Sequence, residues 1–177
     1  MVKIITDTTS VLPSTIAETY HIPVIPQLIH FGDETFVEGV DIDIKTFLSR
    51  LKSSLELPKT AAPPPEYFTE IFQKLTVTAE TILCIHPSHK VSGTIRAATV
   101  AAQDFPEADI RIIDTLLVGS PVGTLTHLAA QWAKEGQEAD IIENRVRDLA
   151  SGGKIFFLVA TLDFLVRGGR IGGASAL

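Results

Sequence analysis

Short apolar runs rich in β-branched residues alternate along this chain with longer segments of helical periodicity. Helical spacing of apolar residues is clear over 41–55, where Asp43 is the expected N-cap, and again over 64–75. A further helix is expected over 121–136, ending at Gly136. Strands joined through helices form parallel sheets that are covered on both faces. The pattern therefore predicts an α/β fold, a three-layer α/β/α arrangement with a mainly parallel sheet. The strand-like runs are "VKII" (2–5), "TILCI" (81–85), "IRIID" (110–114) and "KIFFLVA" (154–160).

One further extended run, "PVIPQLIHF" (23–31), differs from these four because it contains two prolines. Proline cannot donate to a strand ladder, so this run is expected at a sheet edge or in irregular pairing. The "GDETFVEG" segment that overlaps its end predicts a turn followed by a short hairpin arm.

The double glycine before "KIFFLVA" suggests a domain boundary. One strand with one short helix cannot bury its own faces, so this run either joins the first sheet or begins another domain. We favour the second interpretation. Residues 1–152 are expected to form an N-terminal α/β/α domain, and residues 153–177 the start of a second, C-terminal α/β domain that is truncated.

Composition argues against several classes of protein. A net charge of -6 and a pI near 5.3 disfavour a broad nucleic-acid surface. The single cysteine, Cys84, lies in an apolar run and is expected to be a buried thiol, and it leaves no partner for a disulfide. The chain opens without a signal-peptide pattern, and its most apolar run is too short to cross a bilayer. We expect a cytoplasmic protein with no membrane insertion.

Hydroxyl side chains cluster where the predicted strands end. Ligands of open α/β sheets bind beyond the carboxyl ends of the strands, so these clusters are candidate binding residues. In order along the chain they include Asp7 and Thr8, then Ser88, Ser92, Gly93 and Thr94, and finally Ser120. Thr60 is expected on a connection between two helices that could reach the same edge.

The "SGT" at 92–94 is the most specific of these clusters because it opens a predicted helix. Backbone amides and hydroxyls at a helix N-terminus favour an anion such as a carboxylate or a phosphate. The alternative is that Ser92 only caps the helix. Asp7 has similar alternatives: it is an acid, a base or a metal ligand, or it is a structural carboxylate that accepts backbone N–H groups of its own loop.

Familiar catalytic and nucleotide-binding motifs do not occur in this sequence. There is no "GxxxxGK[ST]", no "GxGxxG" after the first strand and no "GxSxG". His86 and His89 lack a carboxylate or cysteine companion at the usual metal-ligand spacing, and no His–Asp pair is evident beside a serine. The sequence favours binding a small anionic ligand over transforming it.

Six stretches together resemble the DegV family, bacterial fatty-acid-binding proteins that include the FakB subunits of fatty acid kinase. The resemblance implies an α/β/α domain followed by a second α/β domain, with an acyl chain buried between or beside them, and no cofactor. The stretches are "ITDTTSVLP" (5–13), "FVEGVDID" (36–43), "KTAAPPPEYF" (59–68), "IHPSHKVSGTIRAA" (85–98), "IIDTLLVGSPVGTL" (112–125) and "TLDFLVRGGRIGGASAL" (161–177).

The resemblance also implies which residues hold the ligand. Thr60 and Ser92 match the two hydroxyls that bind the fatty-acid carboxylate in the family, and the proline run at 63–65 would hold Thr60 rigidly near the helix start. The chain departs from the family pattern in its polar surroundings. Ala61, Ala62 and Pro64 replace polar loop residues, His89 replaces a serine, and Val11 stands where aspartate is common.

A carrier role follows from the same resemblance. The family's binding proteins present the fatty acid to a separate kinase subunit that phosphorylates the carboxylate with ATP, and Arg167 and Arg170 would then belong to the partner-docking surface. Two alternatives remain at this point. One is a hydrolase or phosphotransferase that uses Asp7 and nearby hydroxyls, and the other is a regulatory domain whose pocket is vestigial.

Overall fold

The computed structural model describes residues 1–54, 56–156, 158–159 and 161–170. The strands are β1 (Val2–Asp7), β2 (Val24–Ile25), β3 (Leu28–Phe31), β4 (Glu34–Val37), β5 (Lys59–Ala61), β6 (Thr81–His86) and β7 (Asp109–Asp114). The helices are α1 (Ser14–Tyr20), α2 (Ile44–Ser53), α3 (Pro65–Leu75), α4 (Thr94–Ala102), α5 (Ser120–Lys134), α6 (Ala139–Gly152) and α7 (Asp163–Arg167), and a 3₁₀ turn spans Thr8–Ser10.

The larger sheet is parallel and has the strand order β2-β1-β6-β7. Its register aligns Ile5 with Cys84, and His86 with Asp114, so the carboxyl ends of the three longer strands lie at one edge. The chain moves to β2 on one side of β1 and to β6 on the other. The loops after β1 and β6 therefore flank a topological switch point, where α/β sheets bind ligands.

Helices cover both faces of this sheet, which confirms the predicted three-layer arrangement. Alternate residues along each strand supply the two faces. On one face strand residues such as Leu83 pack against α5 and α6 through Val122 and Ile142. On the other face Cys84 and its neighbours pack against α3 and α4. Cys84 is fully buried, as the sequence predicts, and burial raises the pKa of its thiol.

The close contact between α3 and the sheet follows from the small residues of α4. Ala97, Ala98 and Ala101 face the core and leave room for the rings of Phe68 and Phe72, which are both fully buried. The two rings lie 6.1 Å apart between centroids. A helix with larger inward side chains would overpack this space, because protein interiors have few voids.

A second, antiparallel sheet with the order β4-β3-β5 stands beside the parallel one. The extended segment and hairpin arm predicted over 23–39 are confirmed, since β2 is an edge strand and β3 pairs with β4. The separate sheet itself is not anticipated by the sequence. Thr60, expected on a connection between helices, instead lies in β5 opposite Ile29. This sheet packs on α2 through Ile29, Phe31, Ile42, Phe36 and Phe47.

The proline run converts strand β5 directly into helix α3. Ala61 ends the strand and Pro65 occupies the first helical turn, where its missing N–H costs nothing. Pro64 is the N-cap with φ -66° and ψ 153°, an extended conformation that the following proline favours. The stiff connection leaves little freedom in the position of the adjacent strand.

The predicted strand "KIFFLVA" is wrong over the residues that the structure describes. Positions 154–156 and 158–159 have no strand pairing, and Phe156 and Leu158 are exposed. Periodicity alone cannot tell a buried strand from another apolar segment. Residues 157, 160 and 171–177 lie outside the described residues, and the proposed second domain stays a prediction.

Gly123 allows α5 to approach the 3₁₀ turn at the end of β1. A Cβ at this position would lie 2.5 Å from the backbone carbonyl oxygen of Ser10, which cannot move aside cheaply. By contrast, a Cβ at Gly152 in α6 would meet no atom within 4 Å.

We expect Gly123→Ala to lower the free energy of unfolding by about 1–3 kcal/mol through overpacking. Gly152→Ala is the matched control and should be neutral or stabilising by about 0.5–1 kcal/mol, because alanine has the higher helix propensity. Urea unfolding followed by circular dichroism measures both. Equal stability of the two variants would contradict the close approach.

Candidate functional site

A cleft of about 1470 Å³ opens beside the carboxyl ends of β1 and β6. One wall is the antiparallel sheet with α2, and the other wall is the start of α4 with the loop that precedes it. Its floor includes Thr8 and Thr9, which follow β1. The cleft therefore occupies the switch-point position that the strand order favours.

Most of the surface of this cleft is apolar. The antiparallel sheet and α2 contribute Ile29, Ile44 and Phe47, and α4 contributes Ile95 and Val100. A cleft of this size exceeds the roughly 300–1,000 Å³ typical of sites for small ligands. The arrangement suits a long apolar molecule, for which burial of CH₂ groups is the main source of affinity.

Thr60 and Ser92, the two hydroxyls selected from the sequence, both line this cleft. Thr60 is exposed on β5, and Ser92 is half-buried two residues before Thr94, where α4 begins. A Cβ on Gly93 would lie 3.3 Å from the Cβ of Ala62, so the segment after Thr60 contacts the segment around Ser92. The proline-braced segment and the helix start therefore meet at one place.

A buried chain of hydrogen bonds runs from Ser92 into the protein. The Oγ atoms of Ser92 and Thr94 are 2.8 Å apart, and the Nε2 of Gln27 donates to Thr94 Oγ1 at 3.1 Å. Gln27 Nε2 also donates to Asp7 Oδ1 at 3.1 Å, and His86 Nδ1 lies 2.7 Å from Asp7 Oδ2. The chain links β1, the β2–β3 connection, β6 and α4.

Asp7 is fully buried and lies behind the cleft surface. Its Oδ1 accepts from the backbone N–H of Thr9 at 2.9 Å and from the hydroxyl of Thr9 at 2.5 Å. Burial raises the pKa of the Asp7 carboxyl, but the hydrogen bonds and charge of His86, with the bonds from Thr9, outweigh it, so the pKa is lowered. The structural interpretation of Asp7, a carboxylate that ties its own loop, is confirmed.

His86 is a hydrogen-bonded residue at the end of β6. Its ring stands edge-on to Phe68, with 5.4 Å between centroids, and it is fully buried. His89, in contrast, is exposed at the cleft and contacts Asp114 Oδ2 at 2.5 Å. In the described part of the chain no three His, Cys, Asp or Glu side chains gather as a metal site would require.

Basic side chains also line the cleft. Arg96 projects from α4, and Arg170, predicted to lie on a partner-docking surface, is among the residues that border this space. Arg167 is exposed and is not part of the cleft lining. Both guanidinium groups at the cleft suit an anionic ligand, because guanidinium matches carboxylate geometry.

The other predicted binding residues have different places. Ser88 is buried, and its hydroxyl accepts from the N–H of Lys90 in the loop after β6. Ser120 begins α5 and its carbonyl accepts from Thr124. Neither borders the cleft. Thr8 does, donating to the carboxylate of Glu38 and accepting from the N–H of Gln27.

Sequence reasoning missed Gln27 and Arg96. Gln27 was visible as a single amide inside the apolar run "PVIPQLIHF", a position where a buried polar side chain needs a partner. Arg96 lies four residues after Ser92, so it could have been placed near the predicted anion site from helix geometry. Both signals are weak without the fold.

Comparison with known proteins decides the family. The profile described as "Uncharacterised protein, DegV family" matches residues 1–177. The chain belongs to the DegV family. A DegV domain-containing protein of Streptomyces coelicolor is 34% identical to this chain over 177 residues, covering 99% of the chain and 62% of the relative.

Solved structures of similar proteins share the fold. A DegV family protein of Thermus thermophilus, described as binding fatty acid, superposes with a TM-score of 0.89 at 31% identity, covering 99% of this chain and 62% of that one. A stearic-acid-binding protein of Eubacterium ventriosum gives a TM-score of 0.88 at 26% identity, covering 98% and 61%. This chain thus spans about three fifths of the length of the relatives that it matches.

No helix among the described residues combines the length and apolar character needed to span a membrane.

The lowered pKa of Asp7 predicts an acid-labile fold. A carboxyl whose pKa is lower in the folded state stabilises the protein above its unfolded pKa, and that stability disappears as pH falls through the folded pKa. We expect the free energy of unfolding to decrease as the pH falls below the ordinary pKa of an aspartate carboxyl, about 3.9, and Asp7→Asn to remove part of this decrease. Urea unfolding at several pH values measures it.

Glu80→Gln is the control for this measurement. Glu80 also has a lowered pKa, through its hydrogen bond and ion pair with the N-terminal amine, but it is exposed and screened by solvent. A larger effect of Glu80→Gln than of Asp7→Asn on the pH dependence would contradict the importance of the buried carboxylate.

Proposed function

We propose that this chain binds a long-chain fatty acid in the cleft, with the carboxylate held by Thr60 and Ser92. The observation that carries the proposal is that both hydroxyls line one cleft whose surface is mostly apolar. An amphipathic ligand with one anionic end matches this division. A vestigial pocket does not, because the space beside Thr60 is open.

The apolar tail would provide most of the affinity. Burying about 15 CH₂ groups is worth roughly 12 kcal/mol at ~0.8 kcal/mol each. Losses of translational and conformational freedom on binding offset about half of this or more. The remaining free energy, at most about 6 kcal/mol, corresponds to a dissociation constant of roughly tens of micromolar. Contacts of the head group would therefore add to the affinity as well as set the orientation of the ligand.

Three features at the α4 end of the cleft would stabilise the bound carboxylate. Thr60 and Ser92 can donate hydrogen bonds, the N-terminus of α4 carries the positive end of the helix dipole, and Arg96 supplies a guanidinium group nearby. Related proteins support the ligand class, since the Thermus thermophilus and Eubacterium ventriosum proteins are described as binding fatty acid and stearic acid.

The enzymatic alternative has little support from the site. Asp7 is the acid or base on which that alternative depends, and it is fully buried with its oxygens committed to Thr9, Gln27 and His86. A general acid or base must come within hydrogen-bond reach of its substrate. We therefore favour a carrier over an enzyme. The resemblance to the binding subunits of fatty acid kinase extends this proposal to phosphorylation of the bound carboxylate by a separate kinase subunit.

The proposed kinase contact involves Arg167 and Arg170. Arg170 borders the cleft and Arg167 is exposed three residues earlier, so a docking surface there would adjoin the cleft. Cationic side chains on such a surface would also steer an acidic partner and affect the rate of association more than the affinity.

Thr60→Val and Ser92→Ala each remove one proposed donor while preserving the approximate side-chain shape. We expect each variant to bind palmitate about tenfold more weakly, since a hydrogen bond to a charged group contributes roughly 1.5–3 kcal/mol. Isothermal titration with palmitate measures the loss. Mass spectrometry of the denatured wild-type protein should also detect a co-purified acyl chain.

Thr99→Val is the matched control, because Thr99 is exposed on α4, bonds to the carbonyl of Ile95 and does not border the cleft. Its palmitate affinity should equal that of the wild type. A wild-type protein that neither carries an acyl chain nor takes up added palmitate would refute the proposed function.

Arg167→Glu tests the kinase contact separately from ligand binding. Charge reversal should leave palmitate affinity unchanged and reduce acyl-phosphate formation about tenfold when a bacterial fatty acid kinase subunit and ATP are added, because a like charge at the docking surface is unfavourable. Lys74→Glu, on the exposed surface of α3, is the control. Equal phosphorylation of both variants would exclude Arg167 from the contact.

A further inference from the structure

A chain of hydrogen bonds connects Asp7 to Ser92 through Gln27 and Thr94. The donor and the acceptor of each bond in this chain follow from elementary hydrogen-bonding rules. We propose that Gln27 and Thr94 are positioning residues that turn the hydroxyl proton of Ser92 into the cleft, so that the site selects a ligand head that only accepts hydrogen bonds, a carboxylate. This inference rests on the proposed function and adds the source of its head-group selectivity.

The direction begins at Asp7, whose ionised carboxylate can only accept hydrogen bonds. The lowered pKa of this carboxyl keeps it ionised at neutral pH. The amide group of Gln27 that contacts Asp7 Oδ1 must therefore be the NH₂ group. Its Nε2 has two protons and two acceptors at 3.1 Å, Asp7 Oδ1 and Thr94 Oγ1. Gln27 thus donates to Thr94.

The donor in the hydrogen bond between Thr94 and Ser92 follows from the bond that Gln27 makes. Thr94 is fully buried, and in the described part of the chain its hydroxyl has two hydrogen-bonding neighbours, Gln27 and Ser92. Gln27 can only donate to it, so the proton of Thr94 has a single acceptor, Ser92 Oγ at 2.8 Å. The opposite direction would leave a buried hydroxyl proton without a partner, which costs about 1–3 kcal/mol.

Ser92 therefore accepts twice from the same residue. Its Oγ receives the hydroxyl proton of Thr94 and, at 3.3 Å, the backbone N–H of Thr94. A serine hydroxyl has two lone pairs and one proton. With both lone pairs used on the protein side, the remaining proton is directed to the cleft that Ser92 lines.

Such a fixed donor distinguishes a carboxylate from an alcohol of the same chain length. A carboxylate accepts the Ser92 proton without any rearrangement, and the charge strengthens the bond. The hydroxyl of an alcohol can either donate or accept a hydrogen bond, so its affinity depends little on whether Ser92 is a fixed donor. Loss of the fixed direction should weaken binding of the acid much more than binding of the alcohol.

The experiment compares palmitate with hexadecanol, each measured by displacement of anilinonaphthalene sulfonate from the purified protein. Thr94→Val removes the hydroxyl but keeps the β-branched shape. It should weaken palmitate binding about tenfold and hexadecanol binding by no more than about twofold. Thr94→Ser restores the hydroxyl and should recover most of the lost palmitate affinity. Gln27→Met removes both amide donors and should reduce the preference for the acid in the same direction.

The ratio of the two affinities separates positioning from general damage to the fold. A parallel loss of palmitate and hexadecanol binding, or an unchanged ratio in Thr94→Val, would overturn the inference while leaving fatty-acid binding by the wild type intact. Failure of Thr94→Ser to recover palmitate affinity would also overturn it. If the wild type binds neither ligand, the proposed function fails and this inference fails with it.

Discussion

The buried carboxylate of Asp7 is the interaction on which the arrangement of the site depends. An ion of this kind is costly to remove from water unless donors surround it, and the penalty is several kcal/mol when one is missing. The donors come from separate parts of the chain: Thr9 in the following turn, Gln27 between β2 and β3, and His86 at the end of β6. Satisfying one carboxylate therefore joins four segments.

The same requirement determines the polar side of the cleft. Because Gln27 must donate to Asp7, its second proton is available to Thr94, and Thr94 in turn contacts Ser92. A group at the cleft surface is thus oriented by a charge that no ligand touches. The apolar walls need no comparable network, since burial of apolar surface is non-directional. Orientation and affinity are in this way supplied by different parts of the site.

The layered architecture could be predicted from the pattern of the chain, and the second sheet could not. Runs such as "TILCI" and the helices between them are local signals that survive without knowledge of the fold. The strands β2, β3 and β5 have two to four residues each, and β5 pairs with β3 across about thirty intervening residues. Pairing at that distance leaves almost no local signature, so Thr60 was expected on a helix connection.

Sequence and fold therefore decided different things about this protein. The sequence by itself determined the alternating strands and helices, the stiff proline segment that leads into α3 and the hydroxyl before α4, since periodicity, φ restriction and helix-start preferences are local. Only the tertiary structure decided that Thr60 and Ser92 line one cleft and that Asp7 lies buried behind it. The same holds for Gln27, which bonds to both Asp7 and Thr94. The reason is physical: burial and hydrogen-bond partners depend on segments that are distant along the chain and adjacent only after folding.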